Sequence, residues 1–281
     1  MPIVVDRLWV HPVKGMTAQS LDTVALDPVS GVPGDRRFAI ALGRMTFDPA
    51  RPTWLRKEAC AMLARNPELA RLRADFDPAR RTLTLWRGPR DLVCDDPTTS
   101  AGRARLEVVL NQLLGTRPDG AVRLVEAGPQ SFTDVPQNGV SILHLASVRE
   151  FAAKIGRPVE PERFRANVWI DGETPWEDFT WLGGSIRMGA ARLRIVRRID
   201  RCAATHVNPA TADRDLSVVK LLKEHYGHVD LAVFAEVEQA GTVRVGDPVA
   251  PPDGAGQGKL RADVGFYAGA LTTIVKDRFR R

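Results

Sequence analysis

Cysteine is scarce in this chain: Cys60, Cys94 and Cys202 are the only three in 281 residues. An odd, widely spaced set argues against a disulfide framework, and it is too small for an iron–sulfur cluster, which takes about four ligands at short spacings. No apolar run approaches the roughly 20 residues of a membrane helix, so no membrane span is expected. The start, Met1-Pro2-Ile3-Val4-Val5-Asp6-Arg7, lacks the basic segment and apolar core of a signal peptide. A strong charge of one sign is also missing: 40 basic against 34 acidic residues give +6, with Arg spread along the chain. There is no helix-turn-helix, no zinc-finger spacing and no basic strip interleaved with aromatics, so nucleic-acid binding is not expected. No internal repeat is found. With 44% hydrophobic and 26% charged residues, the chain is expected to be a cytoplasmic globular protein of one large or two modest domains.

What is present is a succession of short strands. Ile3 to Val10, Leu21 to Leu26 and Arg37 to Leu42 lie between Pro and Gly turns. A helix is expected over Arg56 to Arg65, with Cys60 on its apolar side. Leu72 to Phe76 and Thr82 to Trp86 form a hairpin, and Thr98 to Leu114 has helical spacing stopped by Gly115. A second series starts at Val122, with a helix over Leu145 to Ile155 closed by Gly156. Strands follow at Val168 to Asp171, Ile186 to Met188 and Leu193 to Ile199. A short helix, Leu216 to Tyr226, precedes strands at Leu231 to Val237 and Thr242 to Val245. Many short strands without a βαβ rhythm predict an α+β chain rich in antiparallel β-barrel. Residues from Pro251 to Gly258 read as a linker, and Val264 to Phe279 as a basic amphipathic helix packed on the body.

Cys202 sits in the run Arg201-Cys202-Ala203-Ala204-Thr205-His206-Val207-Asn208-Pro209, after an alternating strand and before an Asn-Pro turn. Arg198 and Arg201 flank it, and positive charge favours the thiolate, the form that attacks electrophiles and binds metals. Taken alone, the segment fits a buried structural cysteine better. His225-Tyr226-Gly227-His228 reads as a helix terminus, not a metal pair, because the Gly ends the helix. Cys60, on an apolar face, and Cys94, beside Asp95-Asp96, do not read as reactive.

Five separated motifs change the weighting for Cys202. Trp9-Val10-His11-Pro12-Val13-Lys14-Gly15, Gly34-Asp35-Arg36-Arg37-Phe38, Arg163-Phe164-Arg165-Ala166-Asn167-Val168-Trp169-Ile170, the run around Cys202, and Ala240-Gly241-Thr242-Val243-Arg244-Val245-Gly246-Asp247-Pro248-Val249 fall in the order of a known family. The chain resembles MOSC proteins, named for the C-terminal domain of molybdenum-cofactor sulfurases, with the N-terminal β-barrel found in the amidoxime-reducing group. The resemblance implies an N-terminal barrel over 1–120, a MOSC barrel over 121–250 and a linker with tail over 251–281.

It further implies that Cys202 is the protein ligand of the molybdenum in a molybdenum cofactor (Mo-molybdopterin), where soft thiolate suits the metal. Lys14, Arg36, Arg165 and Asn167 match cofactor-contacting positions, with Arg165 and Asn167 expected on one strand face. Asp200 is expected to contribute a backbone contact. Thr205 would order the loop of Cys202, and His206 is a candidate proton donor. The implied activity is two-electron reduction of small N-hydroxylated substrates: amidoximes, hydroxylamines or N-hydroxylated bases. Without an appended ferredoxin-like domain, electrons are expected from a separate ferredoxin-, flavin- or cytochrome-type protein. Without the aminotransferase-like domain of the sulfurases, the chain makes no persulfide by pyridoxal-phosphate chemistry. A sulfur carrier with persulfide on Cys202 and a non-catalytic molybdopterin carrier stand as alternatives.

Overall fold

The computed structural model describes residues 2–43, 45–115 and 120–252. The helix expected over Val264 to Phe279, and the linker beyond Pro252, lie outside the described residues. The first half of the chain forms β1 (Val4–Val10), β2 (Gln19–Leu21), β3 (Thr23–Leu26), β4 (Phe38–Ala41), β5 (Leu72–Asp77), β6 (Thr82–Arg87), β7 (Arg90–Asp95) and α1 (Ser100–Leu114). The second half forms β8 (Arg123–Glu126), β9 (Val140–His144), α2 (Leu145–Ile155), β10 (Val168–Asp171), β11 (Ser185–Met188) and β12 (Ala191–Asp200). It finishes with α3 (Val218–Tyr226), β13 (Asp230–Gln239), β14 (Gly241–Arg244) and β15 (Val249–Ala250). The fold is α+β, as expected.

Eight strands make the main sheet, in the order β15-β11-β12-β13-β9-β10-β1-β2. The sheet curls back on itself: Val5 N–H donates to Asp247 O at 2.9 Å and Val249 N–H to Ile3 O at 2.9 Å, joining β1 to the chain around β15. β3 pairs with β14, Thr23 opposite Arg244. Strands from both halves of the sequence therefore build one barrel wall. Its interior holds Val5, Leu8, Ile142, Ile170, Trp181, Leu193, Ile195 and Val233. The alternation of β3 and of β12 up to Val196, buried and exposed by turns, delivers these side chains inward.

A second core packs around β4 and β8, the β5-β6-β7 meander and α1. α1 starts at a Thr99 cap whose side chain accepts from Gly102 N–H, and buries Leu106, Leu110 and Leu114 on one stripe. α2 and α3 cover the outer face of the sheet through Val148, Phe151, Val218 and Leu222.

One expectation fails here for a visible reason. Arg56 to Arg65 holds only a 3-10 turn, Lys57–Ala59. Its backbone is drawn alongside β4 instead, with Leu42 N–H donating to Ala59 O at 3.0 Å and Ala61 N–H to Ile40 O at 2.8 Å. Cys60 is thus buried in an extended segment, bridged to Ala41, not on a helix. The expected antiparallel, barrel-rich architecture holds with one local exception: β9 and β10 are parallel, with α2 as the crossover between them. One parallel pair sits inside a sheet whose other ladders are antiparallel.

Candidate functional site

Between the second core, which contributes Leu63, and the layer under α2 and α3, which contributes Phe164 and Ile199, the surface opens into a cleft of about 320 Å³, within the range of small-molecule sites. Lys14, Arg36, Arg165, Asn167, Asp200, Cys202 and Thr205 all line it. These come from four separate stretches of sequence, and the fold brings them together. Seven lining residues are Lys or Arg and two, Asp134 and Asp200, are acidic, so the cleft favours an anion.

Each side chain is held by identifiable partners. Lys14 is 6% exposed, and its Nζ donates to Phe132 O at 2.8 Å and to Asp134 Oδ1 at 2.6 Å. Burial opposes ionisation of Asp134, yet the Lys14 charge and hydrogen bond hold its carboxyl below the usual range. Arg36 occupies a left-handed backbone position, φ 46°. Its Nη1 pairs with Asp35, and its Nη2 donates to Arg165 O at 2.9 Å. Asp35 also accepts His11 N–H at 2.9 Å. Despite its burial, Arg36 and His11 keep it well below the ordinary carboxylate range.

Arg165 does not lie on a strand face as expected. It closes the 3-10 turn Pro161–Phe164 in a left-handed conformation, φ 52°, before β10 begins. One guanidinium nitrogen, Nη1, donates to Met16 O at 2.7 Å. The other, Nη2, is buried with no acceptor among the described residues. Burial, and then the like charge of Arg36, lower the Arg165 pKa to about 9, so it remains a cation at neutral pH. Asn167, 3% exposed, is a clasp between strands. Its Oδ1 accepts Ser141 Oγ–H at 2.7 Å, and its Nδ2 donates to Trp9 O at 3.3 Å.

Cys202 follows β12 at the start of the 3-10 turn Ala203–His206. Its thiol is partly exposed and its carbonyl accepts from Thr205, from N–H at 3.1 Å and from Oγ1 at 2.8 Å. Thr205 therefore ties its side chain and backbone to the start of this loop. Arg201 anchors the other side, donating Nε to Leu231 O at 2.5 Å and Nη1 to Phe164 O at 3.1 Å. Arg198 is not beside the thiol. Register shifts between Ile195 and Arg197, and between Arg198 and Asp200, break the alternation of β12. The Arg198 guanidinium instead lies over the Phe179 ring at 4.6 Å.

His206 is not brought to the cleft. Its Nε2 accepts Val219 N–H at 3.4 Å and so caps the first turn of α3, where Ser217 offers no side-chain cap. An accepting, half-buried imidazole is a poor proton donor, and burial together with Arg214 and Arg163 lowers its pKa. Asp200 is exposed at the rim. Gly227, φ 76°, closes α3 between His225 and His228.

Arg163, Ser141 and Asp134 complete the site without having been singled out in the sequence. Arg163 is the hub of the Cys202 loop: Nη2 pairs with Asp215 at 2.8 Å, Nε with Glu160 at 2.5 Å, and Nη1 donates to His206 O at 3.2 Å. Its place two residues before Arg165 is a signal that spacing could have supplied. Asp134 lies in a segment without periodicity, and nothing marks it locally.

Comparison with known proteins identifies two domains in the chain. Residues 3–123 match the MOSC N-terminal beta barrel domain, and residues 129–250 match the MOSC domain. Mitochondrial amidoxime-reducing component 1 of Xenopus laevis is 30% identical over 122 residues, 39% of this chain and 35% of that protein. Its Mus musculus counterpart is 29% identical over 120 residues, 38% and 35% of the two chains. These matches thus span about a third of the relatives' own length. Among solved structures, the YUAD protein from Bacillus subtilis is 18% identical with a TM-score of 0.42, covering 89% of this chain and 94% of that one. YiiM from Geobacillus stearothermophilus is 20% identical with a TM-score of 0.32, covering 43% and 58%. With two adjoining domain models accounting for nearly all of residues 3 to 250, the chain belongs to the MOSC family.

Proposed function

We propose that the cleft binds molybdenum cofactor, with Cys202 as thiolate ligand of the metal, and that the protein reduces small N-hydroxylated compounds with electrons from a separate redox protein. The observation that carries this reading is one cleft holding both a partly exposed thiol and a buried, acceptorless Arg165 Nη2. A metal on a soft ligand fits the first, and the phosphate of a pterin cofactor fits the second. The names of the relatives, amidoxime-reducing components, support the reaction class.

When bound, the cofactor would supply the two-electron couple that the chain's own residues lack. The chain's part is to hold and orient. Thr205 and Arg201 fix the backbone on either side of Cys202. Lys14, Arg36 and Arg165 present cations on neighbouring walls, prearranged by Asp134, by Asp35 and by Met16 O. Asn167 and Ser141 lock β9 to β10 beneath them. His206 is assigned no proton-transfer role.

Protein made in a host that synthesises the cofactor should carry about one Mo and one pterin per chain. Cys202→Ala should lose the metal, while Cys60→Ala and Cys94→Ala keep it. With reduced viologen, the loaded protein should deoxygenate benzamidoxime or an N-hydroxylated purine. Equal Mo in wild type and Cys202→Ala would sink the ligand assignment. A metal-free protein with persulfide on Cys202 would replace this reading with the sulfur carrier. Loaded protein that reduces nothing in a broad N-oxygenated panel would leave cofactor carriage.

A further inference from the structure

The cleft has a further cationic wall, on the sheet itself. β12, β13, β9 and β10 lie side by side, with Arg197 opposite Phe234 and Phe234 opposite Ser141. Ser141 in turn meets Asn167, whose backbone N–H donates to Ser141 O at 3.0 Å. Val233 and Ala235 flank Phe234, Val140 and Ile142 flank Ser141, and all four belong to the barrel core. Side chains alternate along a strand, so the row from Arg197 to Asn167 lies on the opposite face. All four residues of that row line the cleft.

Arg197, at one end of the row, is held in place without an acid. Its guanidinium lies over the Phe234 ring, 4.9 Å from the centroid, and Nη1 donates to Arg198 O at 3.3 Å. Gly139 makes room for this platform, since a Cβ there would stand 2.4 Å from Phe234 Cζ. Neighbouring cations are matched by carboxylates, Arg198 by Asp230 at 3.9 Å and Lys14 by Asp134 at 2.6 Å. Arg197 forms no ion pair among the described residues, and it is partly exposed. A guanidinium has five donors, so one hydrogen bond leaves most of the fork for a ligand. Stacking on the ring sets the plane of that fork, and a planar fork matches a carboxylate with two parallel hydrogen bonds.

Position separates Arg197 from the cations given to the cofactor phosphate. Cys202 continues the chain of β12, whereas Arg165 leads into β10. Three strand spacings, about 14 Å, divide those two strands. Arg197 therefore belongs to the Cys202 side of the sheet.

We infer that Arg197 is a specificity residue of the cleft, receiving the carboxylate of a substrate whose N-hydroxylated end is directed to Cys202. The inference rests on the reductase reading for the N–OH chemistry, and it narrows the substrate class to N-hydroxylated compounds that carry a carboxylate. Phe234 acts through Arg197, by fixing the plane of its guanidinium.

Cofactor-loaded protein should show a KM about tenfold lower for 4-carboxybenzamidoxime than for benzamidoxime, the worth of a charged hydrogen bond. Arg197→Gln should bring that ratio near one with metal content unchanged. Arg197→Lys, which keeps the charge without the fork, should recover part of it. Calorimetry with 4-carbamoylbenzoate and benzamide, which lack the N–OH group, reads the same preference without turnover. A crystal of the 4-carbamoylbenzoate complex should place its carboxylate within hydrogen-bond reach of the Arg197 guanidinium. Equal affinities for the two amides in wild type, a preference unchanged in Arg197→Gln, or a carboxylate seated at Lys14, Arg36 or Arg165 would overturn the inference. Protein that reduces neither amidoxime yet binds 4-carbamoylbenzoate through Arg197 would end the reductase reading and leave the anchor standing. Reduction of both amidoximes at equal KM would do the reverse.

Discussion

Arginine carries two opposite roles within three residues of sequence. Arg163 is buried and saturated by Glu160, Asp215 and two backbone carbonyls. Arg165 is half-buried, with one buried nitrogen unmatched. Removing a buried cation from a satisfied network strands its partners, so Arg163→Ala should lose about 3–5 kcal/mol in denaturant unfolding. Arg165→Met should cost little stability, because an unmatched buried donor and charge disappear with it. The same change should weaken pterin retention by at least about tenfold, the worth of a charged hydrogen bond. Unchanged pterin content in Arg165→Met would remove it from the site.

Asp178 gives a second residue-scale expectation. It is 1% exposed, and neither carboxyl oxygen has a partner among the described residues. Burial raises its pKa from 3.8 to about 7. A raised acid holds its proton more tightly when folded, so its contribution is full below the unfolded pKa and is lost as pH rises to about 7. Asp178→Asn should therefore gain on wild type between pH 4 and pH 8, by up to roughly 4 kcal/mol. Parallel stability curves for the two proteins across that range would refute it.

At the scale of elements, legibility followed the strength of the local signal. α2 (Leu145–Ile155) and β10 (Val168–Asp171) are readable to the residue, because Gly156 closes one and a β-branched run makes the other. β9 (Val140–His144) is not, since its interior residues are buried on both faces of a sheet and show no alternation. Arg56 to Arg65 misleads because its apolar residues pack beside β4 with no more than a 3-10 turn. The candidate site was legible where motifs are contiguous, at Lys14, Arg36, Arg165, Asn167 and Cys202. His206 misled for a tertiary reason: α3, 12 or more residues further along, claims its ring as a cap. His206→Ala should cost about 1 kcal/mol through α3, with metal content unchanged. A full loss of turnover with metal retained would restore it to the chemistry. Gly31 and Gly139 make a second element-scale test. A Cβ on Gly31, φ 68°, would lie 2.7 Å from the Gly139 carbonyl oxygen. Gly31→Ala should cost at least about 1–3 kcal/mol, read as a lower melting temperature.

For the molecule as a whole, the main sheet takes β1 and β2 from one end of the described chain and β15 from the other. Residues 1–126 and 129–250 made separately should each be poorly folded, and together should recover a cooperative transition only if they reassociate. Two independent transitions, one from each fragment, would contradict a shared wall. The pairing of β3 with β14 also has a temporal side. A chain growing at roughly 5–20 residues per second finishes Arg244 some 10 to 45 seconds after Leu26. Throughout that interval β3 waits as an open edge with its eventual partner unmade. Nascent chains stalled before β14 should thus bind strand-shielding chaperones, while completed chains release them, and codon choice in the last third of the gene becomes a determinant of yield.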